Sequence, residues 1–239
     1  MAVFYASLAV GFEISTAYQD TSPKFMLNEH GQASGICVDI FAALEAQDSQ
    51  IHFSRPKYFT PLKRIFYDIE NGRVMVYCGA GFNKKRSQKM LYSQLPLYAV
   101  STLLVASRKN YRSYSSIDDL RADPYLRFNA INDTSTHKLL DKLGFSMRGH
   151  YIKTVEQGLG LSLRDSDSVF AYHSLGLKYA LGNNKKWQGL KLLAVSLRDY
   201  DHWMVFSMEI KKEHLDAFNS ALKKLRDKNI IETILLKYQ

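Results

Sequence analysis

Two short apolar runs constrain the fold most: residues 74–77 (VMVY) and 100–106 (VSTLLVA). Neither shows the apolar–polar alternation of a strand wet on one side. A near-continuous run such as 74–77 reads as a strand buried on both faces, and the longer run 100–106 as a candidate crossover between two halves of the chain. The segments around them supply the covers. Residues 38–46 carry Val38, Phe41, Ala42 and Leu44 on a short helix, and Pro61 opens a helix that Asn71-Gly72 closes. Residues 8–12 and 51–53 read as further strands, and Asn28-Glu29-His30-Gly31 is turn chemistry. Strand and helix alternate again beyond residue 106: helix 117–120, strand 128–131, helix 135–143, helix 155–163, strand 168–171 and helix 174–181. Residues 190–195 lead back, and 204–208 form a return strand. This alternation predicts an α/β protein with largely parallel sheets. At the end of the chain Leu215, Phe218, Leu222 and Leu225 recur at helical spacing. Ile230, Ile231, Ile234 and Leu235 continue on a second helix.

The 239 residues suit one large domain or two small lobes, and 46% hydrophobic content with 15 Tyr and 13 Phe permits a sizeable core. No apolar run approaches the ~20 residues of a membrane span. Residues 1–10 (MAVFYASLAV) are apolar but lack a basic start and are short for a signal peptide. They are either the remnant of one or the lead-in to the first strand. The formal charge of +9 raises nucleic-acid binding. Its distribution argues against that, because the basic residues are spread and the densest clusters, Lys84-Lys85-Arg86 and Lys223-Lys224-Leu225-Arg226, are broken up by neighbours. Cys37 and Cys78 lie in no metal-binding spacing, and the sequence leaves open both a disulfide and two free thiols. No metal or cofactor is expected.

Open parallel sheets bind ligands beyond the carboxyl ends of their strands. The run ending at Tyr77 delivers Cys78, Gly79 and Gly81 to such an end, where the two glycines let backbone N–H groups approach an anion. Arg86 follows with a guanidinium suited to a bidentate grip on a carboxylate, and Lys63 and Arg64 are possible neighbours. Thr134 and Ser135 stand at a helix start, where they read both as capping residues and as a second anion contact. Aromatic candidates for a ligand side chain are Phe12, Tyr18, Phe25, Tyr58, Phe59 and Trp203.

Gly35-Ile36-Cys37-Val38-Asp39-Ile40, GAGFNKKR (79–86), Leu95-Pro96-Leu97-Tyr98, Asn132-Asp133-Thr134-Ser135-Thr136, the 167–172 strand and the terminal helix pair fall in one order. In that order the chain resembles the type 3 extracellular solute-binding proteins of amino-acid ABC importers. The resemblance implies a periplasmic-binding-protein-like type II fold, two α/β lobes joined by two crossover strands. Residues 1–101 and 200–239 would form the first lobe and 102–199 the second, with a ligand cleft between them. It gives Arg86 the ligand carboxylate, with Thr134 and Ser135 reaching it from the second lobe. It further implies a monomer in the periplasm, delivering an amino acid or related carboxylate to a membrane permease.

Two positions depart from that pattern. The family usually has a Ser or Thr five residues before its arginine, where this chain has Gly81. It usually has an amine-pairing acid where this chain has Tyr172 or His173. Either the charge comes from elsewhere, with Glu13, Asp165, Asp199 and Asp201 as sources, or the ligand has no α-amine, or binding has been lost. The histidines (His30, His52, His137, His150, His173, His202 and His214) form no catalytic motif. Glu13 with His173 is a candidate acid–base pair. A periplasmic sensor module and a dehydratase-like enzyme are the alternatives to a transport receptor.

Overall fold

The computed structural model describes residues 12–132, 134–147 and 151–238. Residues 1–11, which include most of the expected first strand, lie outside them, as do Asp133 and His150. The chain begins with β1 (Phe12–Ile14), β2 (Met26–Leu27), β3 (Ala33–Ser34), α1 (Ile36–Gln47), β4 (Ile51–Phe53), α2 (Leu62–Glu70), β5 (Val76–Gly81) and β6 (Met90–Tyr92). There follow β7 (Tyr98–Ser107), α3 (Ile117–Ala122), β8 (Arg127–Asn129), α4 (Ser135–Lys142), α5 (Val155–Arg164), β9 (Ser168–His173) and α6 (Ser174–Asn183). Strand β10 (Leu190–Ser207) leads into α7 (Lys212–Asp227) and α8 (Ile230–Leu236). Two compact units result. One takes in the chain up to Tyr98 and again Asp201–Tyr238, and the other is Ala99–Tyr200. The chain passes from one to the other inside β7 and inside β10.

In the first unit β1 pairs with β4 in parallel, and Thr16 bridges Val76 in parallel, which brings β5 alongside. β10 pairs antiparallel with both β5 and β6. The sheets are therefore mixed rather than largely parallel. The difference comes from β10, which is one 18-residue strand. Residues 190–195 and most of 204–208, expected as separate segments, belong to it. Helix α1 packs against α7 and α8, burying Ile36, Ile40, Phe41, Leu44, Phe218, Leu222 and Ile231.

The second unit carries the strand order β10-β7-β9-β8. β9 is antiparallel to β7 and parallel to β8. Successive residues of a strand face opposite sides, and here each side has its own core. Leu104, Ala106, Val169 and Ala171 join Phe128, Leu140 and Phe145 on one. Val105 and Phe170 join Ile152, Leu159, Leu177 and Trp187 on the other. The unbroken apolar run of β7 follows from this double burial. Helix α5 lies so close to β9 that a Cβ at Gly158 would stand 2.3 Å from the Phe170 ring.

Candidate functional site

The end of β5 is built around a glycine. Trp203 pairs with Ala80 and Met204 with Cys78, so Gly79 between them has no partner on β10. Its φ of +83° is open to glycine and strained for other residues. The irregularity is a β-bulge, and it turns the Gly79 carbonyl towards Lys24. The Lys24 ammonium donates to that oxygen at 3.1 Å and to the Tyr77 hydroxyl at 3.3 Å. Tyr77 in turn donates to Gln19 Oε1 at 2.7 Å. Lys24 is only 6% exposed, and burial pushes its ammonium down to about 8.

Two further ties fix this corner. The carbonyls of Pro23 and Lys24 accept the first N–H groups of α1, from Ile36 at 2.9 Å and Cys37 at 3.0 Å. They come so near that a Cβ at Gly35 would be 2.6 Å from both oxygens. Cys37 and Cys78 form a disulfide, with Cα atoms 5.8 Å apart. That pairing was one of two open alternatives. It also corrects the expectation that Cys78 offers a ligand contact: its sulfur is bonded to Cys37 and the residue is fully buried. Gly79 and Gly81 lie within β5 rather than in a loop of free N–H groups, and both carbonyls are taken by cations.

The second cation is Arg86. Its Nη1 donates to Gly81 O at 2.9 Å and to the Tyr92 hydroxyl at 3.3 Å. Its guanidinium lies 3.7 Å over the Phe66 ring, a stacking geometry that favours arginine. Trp203 meets Tyr92 edge-on at 6.4 Å. No carboxylate stands within ion-pair distance of Arg86 among the described residues, whereas Arg64, expected as a possible neighbour, pairs with Asp68 at 2.8 Å. Arg86 is half-buried.

The remaining predicted residues of this unit divide. Tyr18 is a core residue, 1% exposed and stacked on Phe25 at 4.9 Å. Its faces are taken up by neighbouring rings, and it also contributes to the lining of a depression beside Tyr58. Tyr58 is 82% exposed. Together with Phe59, Leu27, Arg55 and one edge of Tyr18 it lines a depression of about 680 Å³. Glu13 is exposed on β1 opposite His52.

In the second unit Thr134 caps α4. Its hydroxyl accepts from His137 N at 3.2 Å and donates to Ile131 O at 2.6 Å. Ser135 is exposed in the first turn. His173 is buried and caps α6 by accepting from Gly176 N at 3.0 Å. Tyr172 stacks on Phe170 at 6.0 Å and meets His173 at a tilt, 4.1 Å away. The spacing to the next helix could have revealed the cap, because α6 starts at the residue after His173. Nothing in the sequence marked Lys24.

Among the described residues no helix is long and apolar enough to cross a membrane. No curated protein matches the chain. Solved structures do. The probable amino-acid ABC transporter extracellular-binding protein ytmK from Bacillus subtilis superposes with a TM-score of 0.81 at 12% identity, covering 95% of this chain and 97% of that one. A putative ABC transporter binding component from Wolinella succinogenes, complexed with lysine, gives 0.80 at 14% identity, with 95% of each chain covered. The GluR0 ligand-binding core in complex with L-glutamate gives 0.78 at 12%, covering 97% and 99%. At such identities the likeness is one of fold, that of the type II periplasmic binding proteins. The model of the bacterial extracellular solute-binding proteins, family 3, matches residues 14–239, nearly the whole length. The chain belongs to that family.

Proposed function

We propose that the protein is an extracytoplasmic receptor that binds a small carboxylate-bearing ligand, an amino acid first among candidates, and delivers it as a monomer to an ABC permease. The observation that carries this reading is Arg86. A guanidinium that is stacked on Phe66, held at one nitrogen by Gly81 O and without a protein carboxylate is prepared for an external one. Preorganisation of this kind lowers the ordering cost of binding. Lysine and glutamate complexes among the structural neighbours support the ligand class.

For the second unit we propose Thr134 and Ser135 as ligand contacts, with Tyr172 and His173 as further candidates. Thr134 already spends its hydroxyl on the helix cap, so its contribution is the placement of the α4 start. Ser135, exposed in that first turn, is the freer hydroxyl.

The test is a thermal-shift screen of amino acids, amino-free carboxylates and opines, followed by calorimetry on the hits. Ligand binding to the folded state raises the melting temperature. Arg86→Ala is expected to weaken a carboxylate hit by roughly thirtyfold, about 2 kcal/mol, the low end for removing one partner of a charge pair. Unchanged affinity removes Arg86 from the site, and silence over the whole panel overturns the receptor reading.

A further inference from the structure

Lys24 lacks what a buried ammonium ordinarily has. Buried charges are paired with an opposite charge or they neutralise. Lys24 has two neutral acceptors, Gly79 O and the Tyr77 hydroxyl, for three N–H donors. Among the described residues the third hydrogen has no acceptor, and no carboxylate lies within ion-pair distance. The groups facing the ammonium are Tyr77 and Gly79 from β5. Gln19 and the Cys37–Cys78 disulfide lie next to these, and Tyr98, itself 3.4 Å from His202 Nδ1, approaches Gly79. None is an acid.

The placement adds a second constraint. The carbonyls that hold Lys24 and Arg86 belong to Gly79 and Gly81, two residues apart on β5. A Cβ at position 79 would come 2.9 Å from Lys24 Cδ, so the glycine makes room for the lysine stem. Both cations are tethered to one strand end, and neither has a carboxylate partner among the described residues.

We infer that Lys24 is a specificity-determining residue of the ligand site, and that the ligand class is a small dicarboxylate, one carboxylate on Arg86 and the other on Lys24. The inference rests on the receptor reading through Arg86 and names its substrate class.

The experiment is calorimetric titration of succinate, glutarate and L-glutamate beside butyrate, with the unaltered protein, Lys24→Met and Arg86→Ala. A dicarboxylate is expected to bind at least tenfold more tightly than butyrate, and Lys24→Met is expected to abolish that preference by weakening dicarboxylate binding at least tenfold. Comparing succinate and glutarate with L-glutamate separates amino-free from amino diacids. A preference that survives Lys24→Met overturns the inference, as does binding confined to monocarboxylic amino acids, which would leave the receptor reading intact. If Lys24→Met abolishes the preference and Arg86→Ala changes nothing, the receptor reading through Arg86 falls instead. A second readout needs no variant. Because the ammonium must carry its proton, dicarboxylate affinity is expected to fall at least fivefold between pH 7 and 9.5 in the unaltered protein. A flat profile overturns the inference.

Discussion

Lys24 also sets a stability profile that can be measured without any ligand. Its folded-state value of about 8 lies below the ordinary value of 10.5. Between those limits the unfolded chain holds a proton that the folded chain has lost, so stability rises with pH across that window. Below pH 8 the folded protein carries the full cost of the buried charge, roughly 2–4 kcal/mol for a shift of this size. Urea unfolding at pH 7 and 9.5 is expected to show the gain at the higher pH, and Lys24→Met is expected to remove it. Lys24→Met is also expected to be the more stable protein at pH 7, since replacing an unpaired buried charge by an apolar chain is favourable. A less stable variant would mean that the bonds to Gly79 and Tyr77 outweigh desolvation. None of this was legible in Pro23-Lys24-Phe25, which reads as an extended stretch. The burial of Lys24 arises from the docked start of α1 and the bulge at Gly79, both long-range events. Arg86, by contrast, could be placed from a local run and the order of its neighbours, which do not depend on packing.

At the scale of elements, α5 separates propensity from packing. Glycine inside a helix costs up to ~1 kcal/mol relative to alanine, so Gly158→Ala should help on local grounds. The Phe170 ring 2.3 Å from the would-be Cβ opposes it, and overpacking of a filled core costs about 1–3 kcal/mol. The variant is expected to melt at a lower temperature. Gly160→Ala on the same helix, whose Cβ would meet only Arg164 Nη1 at 3.7 Å, is expected to be neutral or stabilising. A rise for Gly158→Ala would refute tight packing of α5 on β9. The helices were readable because their apolar stripes repeat locally. The continuity of β10 was not, because residues 196–202 mix charged and apolar side chains. What keeps them extended is the neighbouring strands, which no local pattern encodes.

At the scale of the whole molecule, the Cys37–Cys78 disulfide closes a loop of 41 residues within the first unit. By chain entropy such a closure contributes roughly 3–4 kcal/mol. The double variant Cys37→Ala/Cys78→Ala is expected to lose about that much in urea unfolding, and an unchanged midpoint would assign the bridge no role in stability. Extracellular compartments preserve such bonds, in keeping with the family. The passage of the chain through β7 and β10 has a different consequence. Leu97 N donates to His202 O at 2.8 Å, so the two cut ends of the first unit, Tyr98 and Asp201, already lie on adjoining, hydrogen-bonded backbone. An Asn-Gly turn could splice them, and residues 99–200, with two cores of their own, would become an exchangeable cassette. The chain would then read as a receiving unit with a segment inserted at a single place, a layout that lends itself to recombination at that point.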